Sequence, residues 1–211
     1  VDSHCVLPRP VFGKSLDRPF KFRKATDDQM RARVGRNWPI VREEVRRMPE
    51  SWTPPFDPVD VRLELSKDGG AELLSKCEID PTVVAVTGVT GGSSYAIEHW
   101  ENWCDSGIRS YHMKRNNAAL SDGVSRMSPW IHYGMISTTR MVRDASSIGG
   151  KGAEKFLDEM LVFREHAQHH VHAKDNPDDW ANIPGWAIAS WNDRGPGVSE
   201  LSAIELERGK S

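Results

Sequence analysis

Cysteine is scarce in this 211-residue chain: Cys5, Cys77 and Cys104 are the whole complement, widely spaced and without a Cys-x-x-Cys pair. An odd, scattered set argues against both a disulfide framework and a thiolate metal site. A reducing, intracellular compartment is then the expectation. No apolar run reaches the roughly eighteen residues a membrane helix requires, and the N-terminus lacks the basic-then-apolar order of a secretory signal. Neither a Gly-x-x-x-x-Gly-Lys loop nor a Gly-x-Gly-x-x-Gly fingerprint is present, so the common nucleotide-binding loops have no support. No internal repeat is visible, and the length suits one large domain or a domain with an appendage.

What is present is unevenly charged. The formal charge of −2 conceals residues 107–143, where Arg109, Lys114, Arg115, Arg126, Arg140 and Arg143 stand against the single acid Asp122. Such a basic strip suits a polyanionic partner. Within it lies Asp122-Gly-Val-Ser-Arg-Met-Ser-Pro-Trp-Ile-His-Tyr-Gly134. Pro129 can open a helix, because the N–H it lacks would have no partner there. Ser128 is then the expected N-cap. The free N–H groups of a helix start, the hydroxyls of Ser125 and Ser128 and the guanidinium of Arg126 describe a resting place for a phosphate or pyrophosphate. A plain capped turn is the alternative.

Taken in order, residues 1–12 alternate like a strand, and residues 31–48 read as a helix interrupted at Pro39. Pro49, Pro54, Pro55 and Pro58 mark a connector. Residues 83–87 read as a strand that runs into a glycine-rich turn, after which Ser93 or Ser94 is expected to cap a helix. That helix buries Ala96, Ile97, Trp100, Trp103 and Cys104 and stops at Gly107. A helix capped by Ser137 extends to about residue 146. A longer one, from about 152 to 172, carries Phe156, Leu157, Met160, Leu161, Phe163, Ala167 and Val171 on its apolar side. Trp180, Trp186 and Trp191 fall in short pieces, and a last helix is expected near residues 203–208.

Gly91-Gly92 at a helix start, Tyr111-x-x-x-Arg115-Asn116, the segment from Gly123 to Ser137 and Phe156-Leu-Asp-Glu-Met-Leu-Val-Phe-Arg-Glu165 together resemble the flavin-binding helical domain of the photolyase/cryptochrome family. The spacing within residues 156–165 looks more like the class II photolyases and their plant relatives. The resemblance implies a mainly α fold. It divides the chain into a terminal strand remnant of an N-terminal α/β antenna domain (1–12), an irregular connector with short helices (13–90) and the first half of the FAD-binding domain (91–211). It thereby implies a piece of a longer protein, whose remainder completes the core and whose antenna domain would carry any second chromophore.

Carried over by position, Tyr111, Val124, Ser125, Arg126, Met127 and Ser128 match the residues around the FAD diphosphate, and Arg164 matches an arginine on the flavin side. Glu159 matches the glutamate that hydrogen-bonds the damaged base, and Arg115 and Phe163 match positions facing DNA. The implied activity is blue-light repair of cyclobutane pyrimidine dimers in DNA. A cryptochrome-type photoreceptor and an inactive truncated remnant are the alternatives. Three departures stand out. Val124 replaces a hydroxyl or amide side chain, Met127 replaces leucine, and Phe163 replaces tryptophan or arginine. His166, His169, His170 and His172 are also outside the family pattern. Two of them fall on one helix face, but no nearby carboxylate or cysteine in sequence completes a metal set.

Overall fold

Proline in the first turn, where its missing N–H costs nothing, opens α1 (Pro19–Val34), and Arg31 and Arg33 suit the negative end of its dipole. The computed structural model describes residues 4–9, 16–36, 51–80 and 82–193. Asp60 caps α2 (Val61–Asp68) by accepting the N–H groups of Arg62 and Leu63, and the left-handed Gly69 and Gly70 turn the chain into α3 (Ala71–Ser75). Next come α4 (Ser93–Ser106), a 3-10 turn (Ile108–Ser110), α5 (Tyr111–Lys114), α6 (Ser128–His132) and α7 (Thr138–Ile148). A long rod follows, built from α8 (Gly150–Asp158), a π-helical segment (Glu159–Arg164) and α9 (Glu165–His172). The last described helix is α10 (Gly185–Asn192). The fold is mainly α, as expected.

The core lies where α4, α7 and α8 meet. Trp100 is fully buried and its ring lies 5.3 Å from that of Phe156, while its indole N–H donates to Asp144 Oδ2 at 2.9 Å. Burying a tryptophan without such a partner would leave a costly unsatisfied donor. Trp103, Ile108, Met127, Trp130, Met141, Val142, Ala145 and Ala153 complete the cluster. The α4 face read from the sequence is therefore right for Ala96, Trp100 and Trp103, while Ile97 and Cys104 are half-buried.

Residues 4–9 depart from the expected strand. They run as irregular chain across the rod, with Cys5, Val6 and Leu7 buried. No strand lies among the described residues to pair with them, so their backbone groups find side chains instead. Glu165 accepts from the N–H groups of Val6 (2.6 Å) and Leu7 (3.2 Å). Arg33 Nε donates to the Val6 carbonyl at 2.5 Å, and His169 Nε2 meets the Leu7 carbonyl at 3.1 Å. The His4 carbonyl receives both Thr138 Oγ1 (3.1 Å) and Arg164 Nη1 (2.9 Å). Buried backbone groups must be paired somewhere, and here helix side chains take the place of a sheet.

Other expectations are corrected in the same way. Residues 82–87 form no strand, and Val83, Val84 and Val86 are exposed because no described segment pairs with them as a strand or covers their side chains. The helix expected over 31–48 is instead α1, which ends before Gly35; residues 37–50, like the helix expected near 203–208, lie outside the described residues. Gly92, at φ 113°, holds the cap position of α4 in place of Ser93 or Ser94. The start of α6 also shifts by one residue: Met127 is at the cap position and Ser128 is already helical. Ser137 does cap α7, accepting from Arg140 N at 3.4 Å.

In the rod, Met160, Val162, Glu165 and His169 are buried, whereas Phe163, Ala167 and Val171 are exposed. The π segment inserts an extra residue into the helical phase. A regular 3.6-residue period carried through from Phe156 therefore selects the wrong side chains beyond residue 162.

Gly152 sits where α8 crosses the 3-10 turn, and a Cβ there would collide with the carbonyl oxygens of Ile108 and Arg109. Backbone cannot yield as a flexible side chain can, so Gly152→Ala is expected to destabilise the fold by about 3 kcal/mol, near the top of the range for overpacking. Equilibrium urea unfolding of the two proteins checks this.

Candidate functional site

Local hydrogen bonds set the loop between α5 and α6. Lys114 Nζ pairs with Asp122 at 2.9 Å, and a side chain at Gly123 would press against the Lys114 carbonyl. His99 Nε2 meets the Ser125 carbonyl at 2.9 Å and lies 4.8 Å from the Trp130 ring, whose N–H donates to the Thr90 carbonyl. Arg126 adopts φ 53°, the left-handed region, and its Nε reaches back to the Ser121 carbonyl at 3.1 Å. A non-glycine residue in that region is uncommon and reverses the chain direction sharply. Met127 then drops into the core and anchors the turn.

This turn delivers two hydroxyls to a shared hollow of about 370 Å³. Tyr111, Ser125, Ser128, Glu159 and Arg164 line it together with His4, Ile131, His132, Phe156, Met160 and Gln168. Five of the site residues read from the sequence thus meet in one place. The rest do not line it: Val124 and Arg126 are exposed, Met127 belongs to the core, and Phe163 is outside with Lys155 Nζ 5.4 Å from its ring centre. Arg115 stands beside the hollow and reaches it through Glu159, at 3.1 Å. Because α6 is only five residues long, it offers little dipole to an anion. The donors available in the hollow are therefore side chains, with Ser125 Oγ itself 3.5 Å from the Met127 N–H.

The electrostatics are mixed. Glu159 lies between Arg115 and Lys155 Nζ (2.8 Å), and Lys155 also bonds Asp158, which pairs with Arg23. Charges of alternating sign thus run from α1 to the hollow and offset the carboxylate there. Burial raises the Tyr111 phenol pKa above its ordinary value, and Glu159 adds to this while Arg115 opposes it. The phenol remains a donor at neutral pH. The basic strip is weaker than the sequence count suggests: Lys114, Arg115 and Arg140 are paired with Asp122, Glu159 and Glu101, and two of those acids come from outside residues 107–143.

Sequence reasoning missed His4, His132 and Gln168 as lining residues. His4 and Gln168 arrive by long-range packing, with Gln168 tied to Arg9 at 3.1 Å. Two larger clefts, of about 720 and 850 Å³, lie beside α7 and between α1 and the rod. The first holds Arg33, Arg140 and Arg143, but Arg140 is committed to Glu101 and Asp144.

The histidines of α9 do not form a common site. His166 meets the Leu16 carbonyl at 2.6 Å, His169 the Leu7 carbonyl, and His172 is exposed. The one described group with metal-ligand geometry is Cys5, Glu165 and His169, whose ligand atoms lie within 4.8 Å of one another. Both Glu165 oxygens and the His169 Nε2 are already committed to the backbone of residues 6 and 7. The trio thus serves as a fastening for that segment.

A helical domain with a hydroxyl-, guanidinium- and carboxylate-lined hollow is the class that fold and site define. No family model matches the chain. Among curated proteins, it is 30% identical over 119 residues to the deoxyribodipyrimidine photo-lyase of Methanothermobacter thermautotrophicus, covering 56% of this chain and 26% of that protein. To the protein of the same name from Arabidopsis thaliana it is 24% identical over 129 residues, covering 59% and 26%. To that from Streptomyces griseus it is 30% identical over 106 residues, covering 50% and 20%. The chain is thus similar over part of its length to photolyases, and the matches span about a quarter or less of these relatives' length. No helix among the described residues is long and apolar enough to cross a membrane.

Because Glu159 contributes to the raised pKa of Tyr111, Glu159→Gln is expected to lower it and Arg115→Met to raise it further. Ultraviolet titration of phenolate absorbance, with Tyr111→Phe as the subtraction control, measures both. In the parent chain the unfolded phenol ionises first, near pH 10. Tyr111's contribution to stability is therefore complete below that value and falls as pH rises toward the folded-state pKa.

Proposed function

We propose that this chain is the flavin-cradling part of a light-driven DNA repair enzyme of the photolyase type, acting on cyclobutane pyrimidine dimers. The observation that carries the reading is the meeting of Tyr111, Ser125, Ser128, Arg164 and Glu159 in one hollow, although they come from three separate stretches of sequence. The relationship to proteins named deoxyribodipyrimidine photo-lyase supports it.

The residues fit FAD at its diphosphate. Three hydroxyls and a guanidinium offer neutral and charged donors to phosphate oxygens. A hollow of about 370 Å³ takes that bridge and part of what it joins, which agrees with 91–211 being the first part of a flavin domain. When bound and reduced, flavin excited by blue light supplies an electron to the pyrimidine dimer and recovers it after the ring is split. The chain's own residues hold and orient. Ser125, Ser128 and Tyr111 donate to the diphosphate, Arg164 balances its charge, and Glu159 presents a carboxylate to the edge of a base taken out of the duplex. Arg115 faces DNA phosphate, which sets position without reading sequence. Damaged DNA and the remainder of the same protein are the proposed partners, with residues 13–90 as the connector.

Titration of the purified chain with FAD tests the reading. Weak, saturable binding is expected, with little flavin retained through purification. Arg164→Ala is expected to weaken binding by about 2 kcal/mol, the scale of a hydrogen bond to a charged group. Unaltered affinity in that variant would refute the site. Light-driven flavin reduction without dimer repair, assayed in a protein carrying the complete cradle, would move the reading to a photoreceptor.

A further inference from the structure

We infer that Glu165 is a positioning residue for the hollow, acting through the N-terminal segment on Arg164 and His4. The inference rests on the flavin reading above and extends it to a side chain that never enters the cavity. Glu165 is 1% exposed, yet both its oxygens are used on the N–H groups of Val6 and Leu7, some 160 residues away in sequence. Those two amides fix the chain immediately after His4. The His4 carbonyl then receives Arg164 Nη1 at 2.9 Å and Thr138 Oγ1 at 3.1 Å, and His4 itself lines the hollow.

The sequence of supports runs in one direction. The carboxylate holds two amides, the amides hold a carbonyl in place, and the carbonyl holds one arm of the guanidinium. Arg164 Nη1 also lies 3.9 Å from Glu165 Oε1, so the guanidinium is flanked by the carbonyl and the carboxylate on its inner side. A guanidinium has five N–H donors in a planar fork. Anchoring one arm inward fixes the plane in which the others are offered, which reduces the ordering cost when an anion binds. Arg33 and His169 hold the carbonyls of Val6 and Leu7, whereas Glu165 both holds the amides of this segment and lies against the Arg164 guanidinium. Glu165 is therefore the point at which the fastening of residues 4–7 and the aim of Arg164 join.

FAD titrations of the parent chain, Glu165→Gln, Arg164→Lys and the double variant test this. The amide of glutamine offers one acceptor and one NH₂ in place of two acceptors, so one backbone N–H loses its partner. Glu165→Gln is expected to weaken FAD affinity at least tenfold in the parent and less than twofold when Arg164→Lys is already present, because the fork it aims is gone. Equal weakening in both backgrounds would assign Glu165 a purely structural role and overturn the inference. So would unchanged affinity. Should Glu165→Gln fail to fold, Thr138→Val removes the second donor to the His4 carbonyl and is read by the same rule, with a loss of threefold or more confined to the Arg164 background. If the parent binds no FAD, the flavin reading falls and this inference with it; if the parent binds and the variants match it, only the positioning role falls.

Discussion

One buried carboxylate meeting two backbone amides holds this structure together across its length. Glu165 ties residues 6 and 7 to the rod, and without that contact the polar backbone of the segment would have to be buried unpaired or released to water. Removing the carboxylate would leave two buried N–H groups without an acceptor, at a cost of about 1–3 kcal/mol each. Arg33 from α1, His169 from α9 and Thr138 from α7 converge on the same few carbonyls. The segment is therefore a keystone between three helices. Its buried Cys5, Val6 and Leu7 add apolar area to a contact that its backbone makes specific.

The hollow depends on two further constraints. The turn before α6 is fixed by a left-handed arginine, an anchored methionine and a histidine on the Ser125 carbonyl, so its serines face inward without the help of a long helix. Glu159 is balanced by Arg115 and Lys155, which lets a carboxylate share a small cavity with groups suited to an anion. Polyanion binding would draw Arg115 toward phosphate and leave Glu159 with Lys155 alone. Charge balance in the hollow would thus be coupled to polyanion binding at one pair.

The mainly α fold was legible because apolar spacing marks a helix locally. Trp100 and Trp103 fall on one face of α4, and Ser137 is a cap whose hydroxyl meets a backbone N–H three residues on. The two supposed strands were not recoverable. Alternation at residues 4–9 and 83–87 records which side chains are apolar, whereas a strand also needs a neighbour to take its hydrogen bonds. In the site, Tyr111, Ser125, Ser128, Glu159 and Arg164 could be named in advance because the motifs that carry them are contiguous words. Met127 stands apart from Ser125 and Ser128 because its side chain packs in the core while theirs line the hollow. His4 and Gln168 escaped notice because only long-range packing brings them there.

The π segment from Glu159 to Arg164 shifts the buried positions of the rod, from Phe156 and Met160 on one phase to Glu165 and His169 on the next. Each residue of an α-helix turns the chain by about 100°. Deleting a single residue within 159–164 would relax the rod into an ordinary helix and leave α9 facing much as it does, because the wider π turn absorbs one extra residue, whereas a deletion within α8 would swing α9 by that amount and carry Glu165 away from its amides. Outside the π segment this rod should thus be intolerant of indels in evolution even where its side chains face solvent, as Glu154 does. Point substitutions at those outward positions leave the helical phase intact.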